Sequence, residues 1–361
     1  MPFQATPMFP GDLYDTTLRV AAATPVVETF ESRQASGTWQ QFLDLGWQGV
    51  LVSEEYGGAG ASLGDVAAVV EAAGRHALAA PLAARCAVLP VLLSGVSAQP
   101  VAAQLLKQVA SGEASVCPVL DADAAAALHC VFRGDEPVLT GCLRGADLTE
   151  PASHLVFLAR TDSGDDVLLL AARDELPGFA RTWLGVDARQ TADIELEGVR
   201  LPSSAVLARG ERARNAAAKA RDVGALMSCA QVVGAMGAMI EQSIEYLNTR
   251  QQFGVALATF QALRHRTVEM YVAYENARGM VRQRVLAQGA GEAGEREIAL
   301  VKLYLSVTAR RAAEDCIQLH GGIGMSRELP AARLAMHALA CSLQWGDRYA
   351  QLDRLVSATL H

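Results

Sequence analysis

The sequence predicts an α+β protein, mainly α, with an N-terminal helical domain over residues 1–110, a small β domain over 111–209 and a C-terminal four-helix bundle over 210–361. Three observations carry this prediction. Apolar residues recur three and four apart in the first part, the period changes to short β-type runs in the middle, and helical spacing returns from Ala216 onward.

From Leu13 to Val109 the chain is rich in Ala and Leu, as in "GDVAAVVEAAGRHALAAPLAARCAVLPVLL", a pattern of packed helices. The stretch "GWQGVLVSEEYGGAGAS" interrupts it and is expected to be an extended run closed by a glycine-rich turn. Between Ser111 and Arg209 the runs "HCVFR", "HLVFLAR", "DVLLLAA" and "TADIELEGVRLP" are separated by Gly, Asp and Pro clusters. Strands at this spacing suggest a small barrel or sandwich. Four helical segments follow, at about Arg221–Thr249, Phe260–Gln288, Glu295–His320 and Pro330–Leu360.

A chain of 361 residues that is 51% hydrophobic can bury a large core. The net charge of −8 and a pI near 5.4 give no basic field, so nucleic acid is not an expected partner. No apolar run reads as the ~20 residues of a membrane span, and "MPFQATPMFPGDLYD" lacks a basic segment followed by an apolar one. A cytoplasmic location is expected. The seven cysteines are scattered without a CxxC pair, which points to buried reduced thiols and to neither a disulfide framework nor a metal site.

Two stretches of the bundle carry the chemistry. In "YLNTRQQFGVALATFQALRHR" Arg250, Phe253-Gly254 and Gln261 stand at fixed spacing across a glycine break, and "CIQLHGGIGMSRELP" adds Gln318, Gly321 and Gly322. An arginine at a helix end can simply complement the helix dipole. A double glycine, however, lets backbone amides approach an anion, the guanidinium fork suits phosphate oxygens, and glutamine can pair with an adenine edge or a ribose. Together they look like one half of a dinucleotide site. The helix before them carries Gly224, Ala225, Ser228, Gly234, Ala235, Gly237 and Ala238, small residues suited to close helix packing, with a subunit interface as the alternative.

"RQQFG" with "FQ", followed about sixty residues later by "QLHGGIGMSRELPAARL", resembles the C-terminal domain of the acyl-CoA dehydrogenase family. "WQQFLDLGWQGVLVSEEYGGAGASLGDVAAVVEAAGRHALAAP" is similar to its N-terminal domain and "ADIELEGVRLPSSAVL" to the end of its β domain, so the likeness spans almost the whole chain. The resemblance implies FAD held between two subunits, with Arg250, Phe253, Gln261, Gln318, Gly321 and Gly322 reaching the adenosine diphosphate half of a flavin bound mainly by the neighbour.

The resemblance also marks departures. Family members grip their own flavin with a loop like T-E-P-G-A-G-S-D and a later W-I-T or W-I-S strand, where this chain reads "CPVLDADAAAA" and "TGCLRGADLTEPASHLVF". The "TEP" at Thr149–Pro151 lies too far along to replace that loop. The family's catalytic glutamate sits in a Y-E-G-T motif or early in the first bundle helix. Ungapped counting puts Trp345 at the first place, beside Gly346, and Gly224 at or near the second. Asp347 and Asp222 are the nearest carboxylates, each displaced from its position. Proton abstraction tolerates such displacement poorly.

A subunit that keeps what serves a neighbour's FAD and lacks what serves its own resembles the smaller, non-catalytic partner of heteromeric acyl-CoA dehydrogenases. That implies an α2β2 assembly with a larger catalytic subunit, α,β-dehydrogenation of an acyl-CoA thioester such as a steroid side chain or other bulky or dicarboxylic acyl group, and an electron-transfer flavoprotein as acceptor. Two alternatives stay open: a self-sufficient homo-oligomer using Asp347 or Asp222 as base, and a homologue that has lost flavin.

Overall fold

The computed structural model describes residues 3–24, 38–120 and 128–357. Residues Asp121–Ala127, most of the loop compared above with T-E-P-G-A-G-S-D, lie outside the described residues. The chain forms two compact units: one gathers Met1–Thr24, Leu63–Leu78 and Ala225–His361, the other Pro25–Ser62 and Ala79–Gly224.

The second unit contains short helices α2 (Thr38–Asp44), α4 (Leu89–Ser94) and α5 (Pro100–Ala110), and strands β1 to β8. The strands are Val116–Val119, Leu128–Arg133, Glu136–Asp147, His154–Thr161, Asp166–Ala172, Arg181–Leu184, Gln190–Arg200 and Val206–Arg209. They form one eight-stranded sheet in the order β6-β7-β3-β2-β4-β5-β8, with β1 on β4, rather than two sheets of a sandwich. Both β1 and β2 run parallel to β4, and the other pairs are antiparallel. Leu139, Leu143, Leu155, Phe157, Leu169, Ile194 and Leu196 build its core. Alternate residues of a strand face one side, so β2 and parts of β3 and β7 bury every second position, whereas β1, β4 and β5 are buried nearly throughout.

Two expectations are corrected here. "GWQGVLVSEEYGG" is not extended but folds into two single 3-10 turns, Trp47–Gly49 and Glu54–Tyr56. The reason lies in backbone closeness: a Cβ on Gly58 would stand 2.1 Å from the Val52 carbonyl oxygen, and Gly49 O accepts from both Val52 N and Ala59 N. The thiols are all free, as expected, yet Cys142 is only half-buried while the other six are buried.

The first unit holds α1 (Asp12–Ala23), α3 (Leu63–Gly74) and the bundle. The bundle helices are α6 (Gly210–Thr249, assigned to this unit from Ala225), α7 (Gln261–Gly289), α8 (Glu295–His320), α9 (Pro330–Leu343) and α10 (Arg348–Ser357). The fourth predicted segment is thus two helices. Trp345 and Gly346 both take positive φ, 57° and 92°, and the chain turns there although the apolar spacing continues across them.

Helix α6 also corrects the reading that no apolar run is long enough for a membrane. It passes that test by length and composition, yet its apolar window is wholly buried within the protein. Its small residues explain the burial. A Cβ on Gly234 would lie 2.1 Å from the Glu71 carbonyl oxygen, and one on Gly74 would lie 2.3 Å from that of Gln231. Helices α3 and α6 therefore meet backbone to backbone, which only glycine allows at both points.

Candidate functional site

Helix α6 ends at Thr249, and Arg250 follows with its amide still bonded to Tyr246 O at 2.8 Å. The chain then makes a two-stranded ribbon, β9 (Gln251–Gln252) and β10 (Val255–Ala256). Phe253 and Gly254 at its tip have φ of 54° and 80°, the conformation of a tight primed turn. A phenylalanine there is costly, since side chains with a Cβ disfavour the left-handed region. Phe253 is nevertheless 88% exposed, touching Phe260 edge-on at 6.0 Å between ring centres. Gln261 is the first residue of α7 and is exposed, with Nε2 3.4 Å from His265 Nε2.

The second motif ends α8. Gln318 is exposed and its carbonyl accepts from Gly321 N. Gly321 takes φ 63° and ψ −143°, a region open essentially to glycine alone. A Cβ on Gly321 or Gly322 would meet nothing within 4 Å, so the backbone faces open space. By contrast Gly324 is a packing glycine, whose Cβ would crowd Ile317 O.

Two contacts bring the motifs together. The Tyr246 ring, one turn before Arg250, lies 4.7 Å from the ring of buried His320, one residue before Gly321. His320 Nδ1 is 2.8 Å from Cys316 O, and because a carbonyl only accepts, Nδ1 carries the proton and the ring is fixed. Arg266 on α7 reaches Asp315 on α8 at 3.4 Å, joining the turn after Gln261 to the turn before Gln318. Burial pushes the Asp315 carboxyl up, against the downward pull of Arg266. Arg250, Phe253, Gln261, Gln318, Gly321 and Gly322 thereby sit at ends of α6, α7 and α8 that are tied to one another, all exposed. They offer a cation, two amides and uncovered backbone on an open surface, a set that fits the phosphates and adenosine of a dinucleotide.

The weak catalytic candidates are placed differently. Asp347 caps α10, its Oδ1 accepting from Tyr349 N at 3.0 Å and Ala350 N at 2.9 Å. Oδ1 thus serves as the N-cap of the helix. Asp222 is buried on α6, in the sheet-containing unit. Trp345 and Gly346 occupy the turn between α9 and α10, where Gln351 Nε2 donates to both of their carbonyls at 3.4 and 3.3 Å.

Sequence reasoning missed Lys302. It is fully buried on α8, donating through Nζ to Ser228 Oγ at 2.7 Å and Cys341 O at 3.1 Å. One turn on, Ser306 Oγ donates to Ser342 O at 3.2 Å. These two α8 side chains bind carbonyls in the last turn of α9; Cys341 O also accepts from the amide of the capping residue Gln344 at 3.3 Å. A lone lysine inside the apolar run "EIALVKLYLSV" was the available signal.

The "TEP" segment has a structural role. Arg85, fully buried within the π-helical turn Ala83–Val88, donates to Glu150 O, to Pro151 O at 3.1 Å and to Ser115 Oγ at 2.5 Å. Its guanidinium also lies 5.1 Å from the Trp39 ring centre.

A long bundle with an exposed, glycine-lined end and a separate mixed sheet is the architecture of a flavin-dependent dehydrogenase class. Residues 16–113 match the acyl-CoA dehydrogenase N-terminal domain and 214–358 the acyl-CoA dehydrogenase C-terminal domain, and the chain belongs to the acyl-CoA dehydrogenase family. FAD is the cofactor of this family. The chain is 28% identical over 339 residues to "Probable acyl-CoA dehydrogenase YngJ" of Bacillus subtilis, covering 89% of this chain and 88% of that one. Among solved structures it is similar to the ChsE4-ChsE5 complex of Mycobacterium tuberculosis, at TM-score 0.85 and 21% identity over 100% and 99% of the chains. It is also similar to a variant of the Tcur3481-Tcur3483 steroid ACAD, at TM-score 0.82 and 23% identity over 96% of each chain.

Proposed function

We propose that this chain is a cytoplasmic, non-catalytic subunit of a heteromeric acyl-CoA dehydrogenase, lending half of an FAD site to a larger catalytic subunit in an α2β2 complex. The observation that carries the reading is the contrast between six exposed motif residues gathered at one bundle end and a nearest carboxylate, Asp347, whose Oδ1 caps α10. An open face, rather than an enclosed pocket, is what a half-site completed by another chain requires.

In that role Arg250 holds a phosphate oxygen, Gln261 and Gln318 bond the adenosine, and Gly321 and Gly322 let the backbone come close. Phe253 supplies an apolar contact from its exposed tip. When bound, FAD supplies the acceptor for the β-hydride of an acyl-CoA thioester. This chain supplies no base to the α-carbon, because Trp345 stands where the family's glutamate would. The acyl group is proposed to be a steroid side chain or another bulky or dicarboxylic one, with an electron-transfer flavoprotein downstream. Likeness in fold to two complexes, one of them a steroid ACAD, supports this assignment.

Co-expression with a larger acyl-CoA dehydrogenase as partner tests the proposal. The complex is expected to carry one FAD per unlike pair, and the Arg250→Ala complex to lose it on dialysis. Full flavin retention in that variant would overturn the half-site.

A further inference from the structure

Residues 3–10, which precede α1, cross the bundle as a strap, and their fastening is unusual. Ala5 N donates to Glu241 Oε1 at 2.6 Å, and Met8 N to Glu71 Oε2 at 2.9 Å and Oε1 at 3.2 Å. Tyr274 Oη donates to Thr6 O at 3.0 Å, and Arg282 Nε to Met8 O at 3.1 Å. Phe3 stacks edge-on against Tyr271, and Arg282 lies over Phe9. Backbone groups of a strand-like segment are thus met by side chains of α3, α6 and α7, with two carboxylates taking its amides.

Glu71 is the unusual member. It is 2% exposed, and among the described residues its carboxyl oxygens accept from the Met8 amide alone. Tyr14 of α1, Arg75 just after α3, Glu241 of α6, and Tyr274, Glu275 and Arg278 of α7 are the charged or titratable groups around it, with His76 beyond Arg75. Arg75 is taken by Glu241 at 2.6 Å and Arg278 by Glu275 at 2.8 Å, so neither cation pairs directly with Glu71. A buried carboxylate without a paired cation is expensive to ionise.

We infer that the strap is a proton-controlled latch, seated when Glu71 is protonated and released more readily when Glu71 is ionised. Burial pushes the Glu71 carboxyl up to about 7, with the Met8 amide and the distant Arg75 and Arg278 only partly opposing it. The sign follows. A carboxyl whose acidity is weaker in the seated state than in water favours seating at low pH and loses that contribution as pH rises through about 7. This inference is independent of the flavin half-site, since it concerns α3, α6, α7 and residues 3–10.

The test is hydrogen exchange of the Ala5, Thr6, Met8 and Phe9 amides in the full chain, corrected for intrinsic exchange. Between pH 5 and pH 8 the opening of these amides is expected to rise by about tenfold or more and then flatten. In Glu71→Gln, which keeps an acceptor for Met8 N, the rise should shrink to within about twofold. Glu241→Gln should raise opening at every pH while keeping the slope. A flat profile in the unaltered chain, which needs no variant to fold, would overturn the latch. So would an unchanged slope in Glu71→Gln, which would assign the pH response to His76 or another group.

Discussion

Two ends of the same bundle have been treated in opposite ways. Where α6, α7 and α8 meet, polar and glycine residues stay exposed and uncommitted, although Phe253 there bears backbone strain and 88% exposure. At the turn from α9 to α10, polar groups serve the backbone: Asp347 Oδ1 caps a helix, Gln351 bonds two carbonyls, and Lys302 bonds the end of the helix before them. Strain held at an exposed tip is a sign of use, while satisfied polar groups at a turn are a sign of structure. The difference teaches that the two ends of one bundle can be built independently, because separate helix termini form them; on the proposed function, one end faces the cofactor and the other gives no base.

The largest effect expected from breaking this contrast is at Arg250. Arg250→Ala should weaken FAD retention in the complex about ten- to hundredfold, the ~1.5–3 kcal/mol of a charge-assisted contact. Flavin titration of the apo complex measures it. Lys302→Met should cost ~1–3 kcal/mol of stability in a chemical melt, since the Cys341 carbonyl loses its charged donor inside the core. An unchanged midpoint would remove Lys302 from the account of the α9–α10 turn.

Asp347 sharpens the comparison further. Asp347→Ala should lower stability by ~1 kcal/mol, whereas Asp347→Asn, also a good cap, should be close to neutral in thermal unfolding. Flavin bleaching by acyl-CoA should be nearly unchanged in the Asn variant. A fall of about a thousandfold there, ~4 kcal/mol, would make Asp347 a base after all. The smallest effect belongs to Gln318→Ala, which loses a neutral hydrogen bond worth ~1 kcal/mol and should shift flavin affinity less than Arg250→Ala does.

Much of this was legible in the sequence. The spacing of Arg250, Gln261 and the Gly321-Gly322 pair named both motifs, because helix ends and glycine turns leave local signatures. What joins them was not legible. The Tyr246–His320 stack and the Arg266–Asp315 pair link residues far apart in the chain, and nothing local announces them. The break at Trp345 was hidden for a related reason, since the apolar period runs through it and the turn depends on backbone angles set by Gln351 and α8. "GWQGVLVSEEYGG" misled because its β-type residues are held in turns by glycine contacts instead of by strand partners. Local composition specified the elements, and tertiary closeness decided their ends.

On the proposed function this chain completes a flavin site it cannot fill alone. The most direct measurement is the visible spectrum and FAD-to-chain ratio of the chain purified without a partner, with its mass in solution and an anaerobic addition of acyl-CoA. A colourless or sub-stoichiometric preparation that no acyl-CoA bleaches is expected. A monodisperse homotetramer carrying one FAD per chain, bleached by an acyl-CoA, would contradict it.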